Sequence, residues 1–265
     1  MENIISFPKL GLTFKMSRTA FSLFGIDVYW YGLIIATGLI LAFIYACSEA
    51  KKSGVSQDDL LNLFMLCVPA SIVGARLYYV VFSFSDYKDN LWDIFNIRGG
   101  GLAIYGGIIA AAAVIFIYCR KKKISCGKIL DILAVGLLIG QSIGRWGNFV
   151  NGEAFGGHTE SIFAMTVVSD MTTIAEGVHP TFLYESLWNA LGMAALCVYK
   201  KRKLFDGELF GTYMIWYGFG RMLIERLRSD SLYIGSYKVS LLLSVVILIG
   251  GIFIVVSGRK KAKLK

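Results

Sequence analysis

The stretch VYWYGLIIATGLILAFIYAC, residues 28–47, runs twenty residues without a charge. That is the length at which an α-helix crosses the hydrocarbon core of a bilayer. Six further apolar runs follow. Leu60–Phe84 carries one charge, Arg76, and Gly99–Cys119 carries none. Ile129–Gly144 is shorter, with Asp131 near its start, and Pro180–Tyr199 contains Glu185. Leu209–Leu227 holds Arg221, Glu225 and Arg226, and Val239–Gly258 is uncharged. The pattern predicts an all-α, polytopic membrane protein of about seven transmembrane helices. Composition agrees: 56% of residues are hydrophobic and 17% charged, against about 25% charged in soluble domains.

The Lys and Arg residues orient the chain, because cytoplasmic loops carry the excess. Of 27 in all, sixteen fall at Lys51–Lys52, Arg120–Lys128, Lys200–Lys203 and the tail from Arg259. Eight fall in the alternate loops, and Arg76, Arg145 and Arg221 lie within the runs. The N-terminus is therefore expected outside and the C-terminus in the cytoplasm. The net charge of +9 is a basic inner face held on anionic lipid rather than a nucleic-acid surface. The five cysteines fall at or near the inner side, with no CxxC pair, so neither disulfide nor structural zinc is expected.

The expected organisation is a single integral membrane domain over residues 1–265, with an outside N-terminal arm at 1–27 and a long outside loop at 149–179. In the arm, Ile4–Phe7 and Phe21–Ile26 are apolar enough to lie on the membrane surface. A loop of that length is usually functional or disordered.

Three polar clusters interrupt the apolar runs. The densest is GRWGNFVNGE, residues 144–153, at the outer end of the fourth run. Helical spacing puts Arg145, Asn148 and Asn151 on one face, with Glu153 beyond. A fixed guanidinium beside amides suits an anionic phosphate. The plainer reading is an interfacial helix end. In the second cluster, Tyr217, Arg221 and Glu225 are spaced by four on one face of the sixth run, and Arg228 lies three further. Charges there face a polar interior, and a self-satisfying Arg221–Glu225 pair is the plainer alternative. The third is RGGGLAIYGG, residues 98–107, where glycines bracket Tyr105. Tight helix packing explains such glycines equally well. Glu185 is expected to pair with an arginine. His158 and His179, the only histidines, have no cysteine near them, so no metal site is expected.

Residues 144–153 resemble the signature of bacterial prolipoprotein diacylglyceryl transferases, Gly-Arg-x-Gly-Asn-Phe-x-Asn-x-Glu. The resemblance extends in order through Trp30-Tyr31-Gly32, Gly74-x-Arg76, Gly100–Gly107, His179-Pro180-x-x-x-Tyr184-Glu185 and Tyr217-Gly218-x-x-Arg221. It implies transfer of a diacylglyceryl group from phosphatidylglycerol to the lipobox cysteine of a preprolipoprotein signal peptide, with release of glycerol phosphate and without a cofactor. It places the enzyme in the bacterial cytoplasmic membrane with its site toward the outer leaflet, among membrane lipids. It also implies roles for Arg145, Arg221 and Tyr105 in catalysis. Arg145, Asn148, Asn151, Glu153, Tyr31, Tyr217 and Arg76 would hold the phosphatidylglycerol. Well-studied members carry His where this chain has Tyr105, and that His has been proposed as the general base. A phenol titrates near 10 and is a poorer base at neutral pH.

A membrane transporter or a lipid-binding non-enzyme is the alternative. A transport path needs polar residues through the full membrane depth, whereas these concentrate at the outer ends. An alcohol phosphatidyltransferase needs clustered aspartates for metal, and only Asp58-Asp59 are adjacent. The orientation is tested with reporters active only in the cytoplasm. A fusion after Lys203 should be active and one near Thr159 silent; the reverse would overturn the orientation.

Overall fold

The computed structural model describes residues 3–88, 90–97, 100–169, 172–229, 233–235 and 237–264. Arg98 and Gly99 of the third cluster lie outside the described residues. Seven α-helices are found among them: α1 (Trp30–Ser53), α2 (Gln57–Phe82), α3 (Ile104–Lys122), α4 (Cys126–Asn151), α5 (Thr181–Tyr199), α6 (Glu208–Glu225) and α7 (Val239–Lys263). Five of these, α1 to α4 and α7, are long and apolar enough to cross a membrane. The remaining two carry Glu185 and, on α6, Glu208, Arg221 and Glu225. The chain divides into two compact units, one of Met1–Ala46 with Leu130–Lys265 and one of Cys47–Ile129.

The all-α expectation is corrected in the first unit. Strands β1 (Asn3–Phe7), β2 (Leu12–Met16), β3 (Thr19–Leu23) and β4 (Ile26–Tyr29) fill the N-terminal arm. Strands β5 (Met165–Val168) and β6 (Thr173–Val178) lie in the long loop, and β7 (Tyr233–Ile234) and β8 (Tyr237–Lys238) precede α7. One antiparallel sheet takes the order β2-β1-β5-β6, with Ile5 opposite both Phe14 and Val167. Burial alternates along β1, with Asn3, Ile5 and Phe7 inward, the period-2 pattern of a strand with one face covered. Ile4–Phe7 is therefore part of a packed sheet, not a surface-lying segment. Ile5 and Phe7 form a core with Phe149, Val150, Met165, Val167, Val178 and Phe182.

That core fixes the ends of two helices. Phe149, near the end of α4, packs against Phe7, Phe14, Trp146 and Phe182, its ring 4.8 Å from that of Phe182 at the start of α5. The buried Asn3 amide donates to the Val150 carbonyl at 2.8 Å, occupying one of the carbonyls that a helix end leaves unpaired. Helices α5 and α6 are then locked in register by two indoles. Trp188 Nε1 donates to the Trp216 carbonyl and Trp216 Nε1 to that of Trp188, each at 3.0 Å, with the rings stacked at 4.6 Å. A side chain at Gly192 or Gly220 would run into the facing indole. At the other end of the unit, Asp131 accepts from the Gly207 and Phe210 amides and from Lys203 Nζ, capping the start of α6.

In the second unit, α2 and α3 touch backbone to backbone where Gly74 faces Gly106; a Cβ on Gly74 would lie 2.7 Å from the Gly106 carbonyl oxygen. Close approach through small residues is how membrane helices associate.

Since Ile5 is 1% exposed at the centre of the sheet core, Ile5→Ala should cost about 2–5 kcal/mol. The thermal midpoint of the purified protein should fall accordingly. An unchanged midpoint would mean the sheet is not part of the cooperative core.

Candidate active site

The side chains of highest interest in the first unit converge on one carboxylate. Glu185, one turn into α5, is 4% exposed. Its Oε2 lies 2.6 Å from Arg145 Nη2 of α4. Its Oε1 accepts from Arg221 Nη1 of α6 and lies 3.5 Å from Arg228 Nη1. Arg221 also pairs through Nη2 with Glu225 at 2.7 Å. Arg145 and Arg221 do meet on one anion, but the anion is the protein's own. The Arg221–Glu225 pair exists as well, as part of a larger cluster rather than in place of it. Among the described residues, three guanidinium groups meet Glu185, and Arg221 also meets Glu225.

The remaining motif residues extend from this cluster. Arg145 Nη1 donates to Asn148 Oδ1 at 3.3 Å. The side-chain amides of Asn148 and Asn151 both donate to Glu153 Oε1, at 3.0 and 3.3 Å. Gly152 at φ +67° turns the chain so that Glu153 folds back on the helix end, its backbone amide bonded to the Asn148 carbonyl. Arg18 Nη2 donates to the Asn151 carbonyl at 3.0 Å. Tyr31 lies within electrostatic reach of Arg145 and Glu153, and a side chain at Gly147 would meet its ring at 2.8 Å. Tyr217 lines a cavity of about 10 Å³, room for one water, with Glu185, Asn189 and Arg221.

Backbone contacts place Arg228. The Gly156 amide donates to the His179 carbonyl and the Gly157 amide to that of Leu227. A Cβ on Gly156 would lie 2.6 Å from the Leu227 oxygen, so only glycine permits this approach. Lys238 Nζ bonds the Glu225 and Arg228 carbonyls at 2.9 and 2.7 Å.

Arg76 and Tyr105 belong to the second unit. Arg76, 7% exposed, spends its donors on the carbonyls of Asp93, Ile94, Gly100 and Gly101 and lies over the Tyr87 ring. Its guanidinium organises the segment before α3. It borders a cavity of about 190 Å³, lined also by Tyr79, Tyr87, Asp93 and Asn96. Tyr105, half-buried on the first turn of α3, makes no hydrogen bond among the described residues. No three His, Cys, Asp or Glu side chains among the described residues are grouped to hold a metal.

The chain as a whole has relatives among known proteins. The family model of the prolipoprotein diacylglyceryl transferases matches residues 18–257. The chain belongs to that family. It is 46% identical over 249 residues to the phosphatidylglycerol–prolipoprotein diacylglyceryl transferase of Finegoldia magna, covering 93% of this chain and 97% of the relative. It is 44% identical over 250 residues to the Clostridioides difficile protein of the same name, covering 94% and 98%. For that of Enterococcus faecalis the identity is 45% over 260 residues, covering 95% and 94%. The match reaches from Arg18, bonded to the helix end of the signature, to α7.

Sequence reading anticipated an arginine partner for Glu185, but not that it gathers three. Arg18, bonded to Asn151 across 133 positions of sequence, left no local signal. Removing one partner from a buried ionic cluster costs about 3–5 kcal/mol. Glu185→Gln should therefore lower the thermal midpoint, by roughly 2–4 °C per kcal/mol for a chain of this size. A midpoint equal to wild type would show that the arginines do not depend on Glu185.

Proposed function

We infer that this chain transfers the diacylglyceryl group of phosphatidylglycerol to the lipobox cysteine thiol of preprolipoproteins, the first step of bacterial lipoprotein maturation. The observation that carries this reading is the arginine cluster on Glu185 in a chain of this family. In the reaction the cysteine sulfur, as thiolate, bonds to the glyceryl carbon. The carbon–oxygen bond to phosphate breaks, and glycerol phosphate leaves with the electron pair. Charge develops on the departing phosphate, and fixed cationic donors stabilise it best when they need no rearrangement.

In this proposal Arg145 and Arg221 are the donors to that phosphate. Arg145 is the better placed for direct contact. Its side chain is 22% exposed against 14% for Arg221, and among the described residues one of its terminal nitrogens faces a carboxylate, while both of Arg221's do. Asn148, Asn151, Glu153, Tyr31 and Tyr217 line the headgroup, and Arg76 acts through the segment it holds before α3. Tyr105 orients the lipid through its hydroxyl rather than serving as the base. No cofactor is required. The protein sits in the cytoplasmic membrane with the N-terminus outside. Helices α5 and α6 complete seven spans, their charged residues turned inward, and the β2-β1-β5-β6 sheet stands on the outer side with the site toward the outer leaflet.

The test is purified protein with phosphatidylglycerol vesicles and a lipobox peptide, read as mass gain on the peptide cysteine. Arg145→Lys and Arg221→Lys should fold yet lose most turnover, because an ammonium lacks the planar fork. Near-wild-type rates in both would remove the phosphate clamp. Tyr105→Phe removes one hydrogen bond to a charged group, worth about 1.5–3 kcal/mol, and should slow turnover roughly ten- to a hundredfold. A rate equal to wild type across pH would remove Tyr105 from the reaction.

A further inference from the structure

The hairpin of β3 and β4 has an apolar face that is largely exposed among the described residues. Its register pairs Phe21 with Val28 and Leu23 with Ile26, while Ser22 faces Asp27. Directly opposed residues share a face, so Phe21, Leu23, Ile26 and Val28 form one wholly apolar side. Ser22 and Asp27 form the other, joined by a hydrogen bond from Ser22 Oγ to Asp27 Oδ1. Such alternation is the pattern of a sheet with one face covered, yet Phe21, Leu23 and Ile26 are 50%, 54% and 53% exposed.

The turn strengthens the point. Phe24 and Gly25 connect Leu23 to Ile26 with φ of +52° and +80°, the two-residue hairpin geometry that favours Asn, Asp or Gly at its first position. Here that position holds phenylalanine in a conformation costly for a side chain with a Cβ, and it is 96% exposed. No Lys or Arg lies between Arg18 and Lys51, so the hairpin lacks the basic side chains that commonly protect an exposed edge in water.

What lies beside the hairpin identifies the occupant. β4 ends at Tyr29 and α1 begins at Trp30, so no linker separates it from a membrane-crossing helix. The Trp30 amide bonds to the Arg18 carbonyl at 3.0 Å, pinning the base of the hairpin to the first residue of α1. Tyr29, Trp30 and Tyr31, all exposed, are the aromatics that settle at headgroup depth. The apolar face thus starts at the interface and is continuous with a lipid-facing helix.

We propose that the β3–β4 hairpin lies in the headgroup region of the bilayer, with Phe21, Leu23, Phe24 and Ile26 turned into the lipid and Ser22 and Asp27 turned to water. Burial of an amphipathic face beside a span needs no specific lipid. Its base, Arg18, is bonded to Asn151, so the hairpin holds the end of the α4 signature at a fixed depth. This rests on the membrane reading alone and is independent of the reaction.

The experiment places an environment-sensitive coumarin amino acid, by codon suppression, at Ser22, Leu23, Phe24 or Asp27 of the full chain. Each form is reconstituted in vesicles of phosphatidylglycerol and phosphatidylethanolamine. Positions 23 and 24 should emit to the blue of 22 and 27, be quenched more strongly by a shallow nitroxide lipid, and less by aqueous iodide. Equal iodide quenching at all four would overturn the proposal. So would shielding of 23 and 24 from both quenchers, which would mean that a second copy or a peptide covers the face. On the unmodified chain, a carbene-generating lipid should label residues 21–26, and labelling that spares them would equally overturn it.

Discussion

Glu185 joins three guanidinium groups that sequence places on two helices and a loop. A carboxylate 4% exposed among apolar helices is unstable alone, and so is each arginine, because desolvation outweighs any single attraction. Together they compensate one another, and the arrangement holds only if α4, α5 and α6 arrive in one register. The structure secures this at two levels. Below Glu185, the reciprocal bonds of Trp188 and Trp216 fix α5 against α6, three residues along from Glu185 and five before Arg221. Above it, the ring of Phe149 between Phe182 and the sheet fixes the end of α4. The charged cluster is thus bounded by aromatic packing on both sides.

The helices were legible because each apolar run is long and local. The face shared by Arg145, Asn148 and Asn151 was legible for the same reason, since helical spacing alone relates them. The sheet was not. Ile5 pairs with Val167 across more than half the chain, and strand pairing leaves only a period-2 trace that β1, at five residues, is too short to display convincingly. Reading Ile4–Phe7 as a membrane-surface segment followed from its apolarity, which a buried strand and an interfacial segment share. The bond from Arg18 to Asn151 is invisible for a related reason: nothing about a lone arginine in an arm names its acceptor.

Two motif segments divide differently once their geometry is known. Gly74 and Gly106 bring α2 and α3 into backbone contact, so these glycines are accounted for by packing. Arg76 is accounted for by the four carbonyls it binds. Gly156, by contrast, serves the cluster on Glu185, because its lack of a side chain lets the chain before Arg228 approach. A shared pattern of Gly and Arg therefore covers both helix packing and the charged site, and only the acceptor of each donor separates the two.

The choice of arginine over lysine follows from the number of acceptors each cation must serve. Arg221 pairs ionically with Glu185 through one terminal nitrogen and with Glu225 through the other. Arg145 divides itself between Glu185 and Asn148. An ammonium is a point charge that satisfies two separated, differently directed acceptors only by compromise, whereas a planar guanidinium presents donors along fixed directions. With those donors spoken for inside the protein, each guanidinium is held still, and its remaining edge is presented without freedom to reorient. In the proposed reaction, the exposed side of Arg145 is the edge that the departing phosphate would meet.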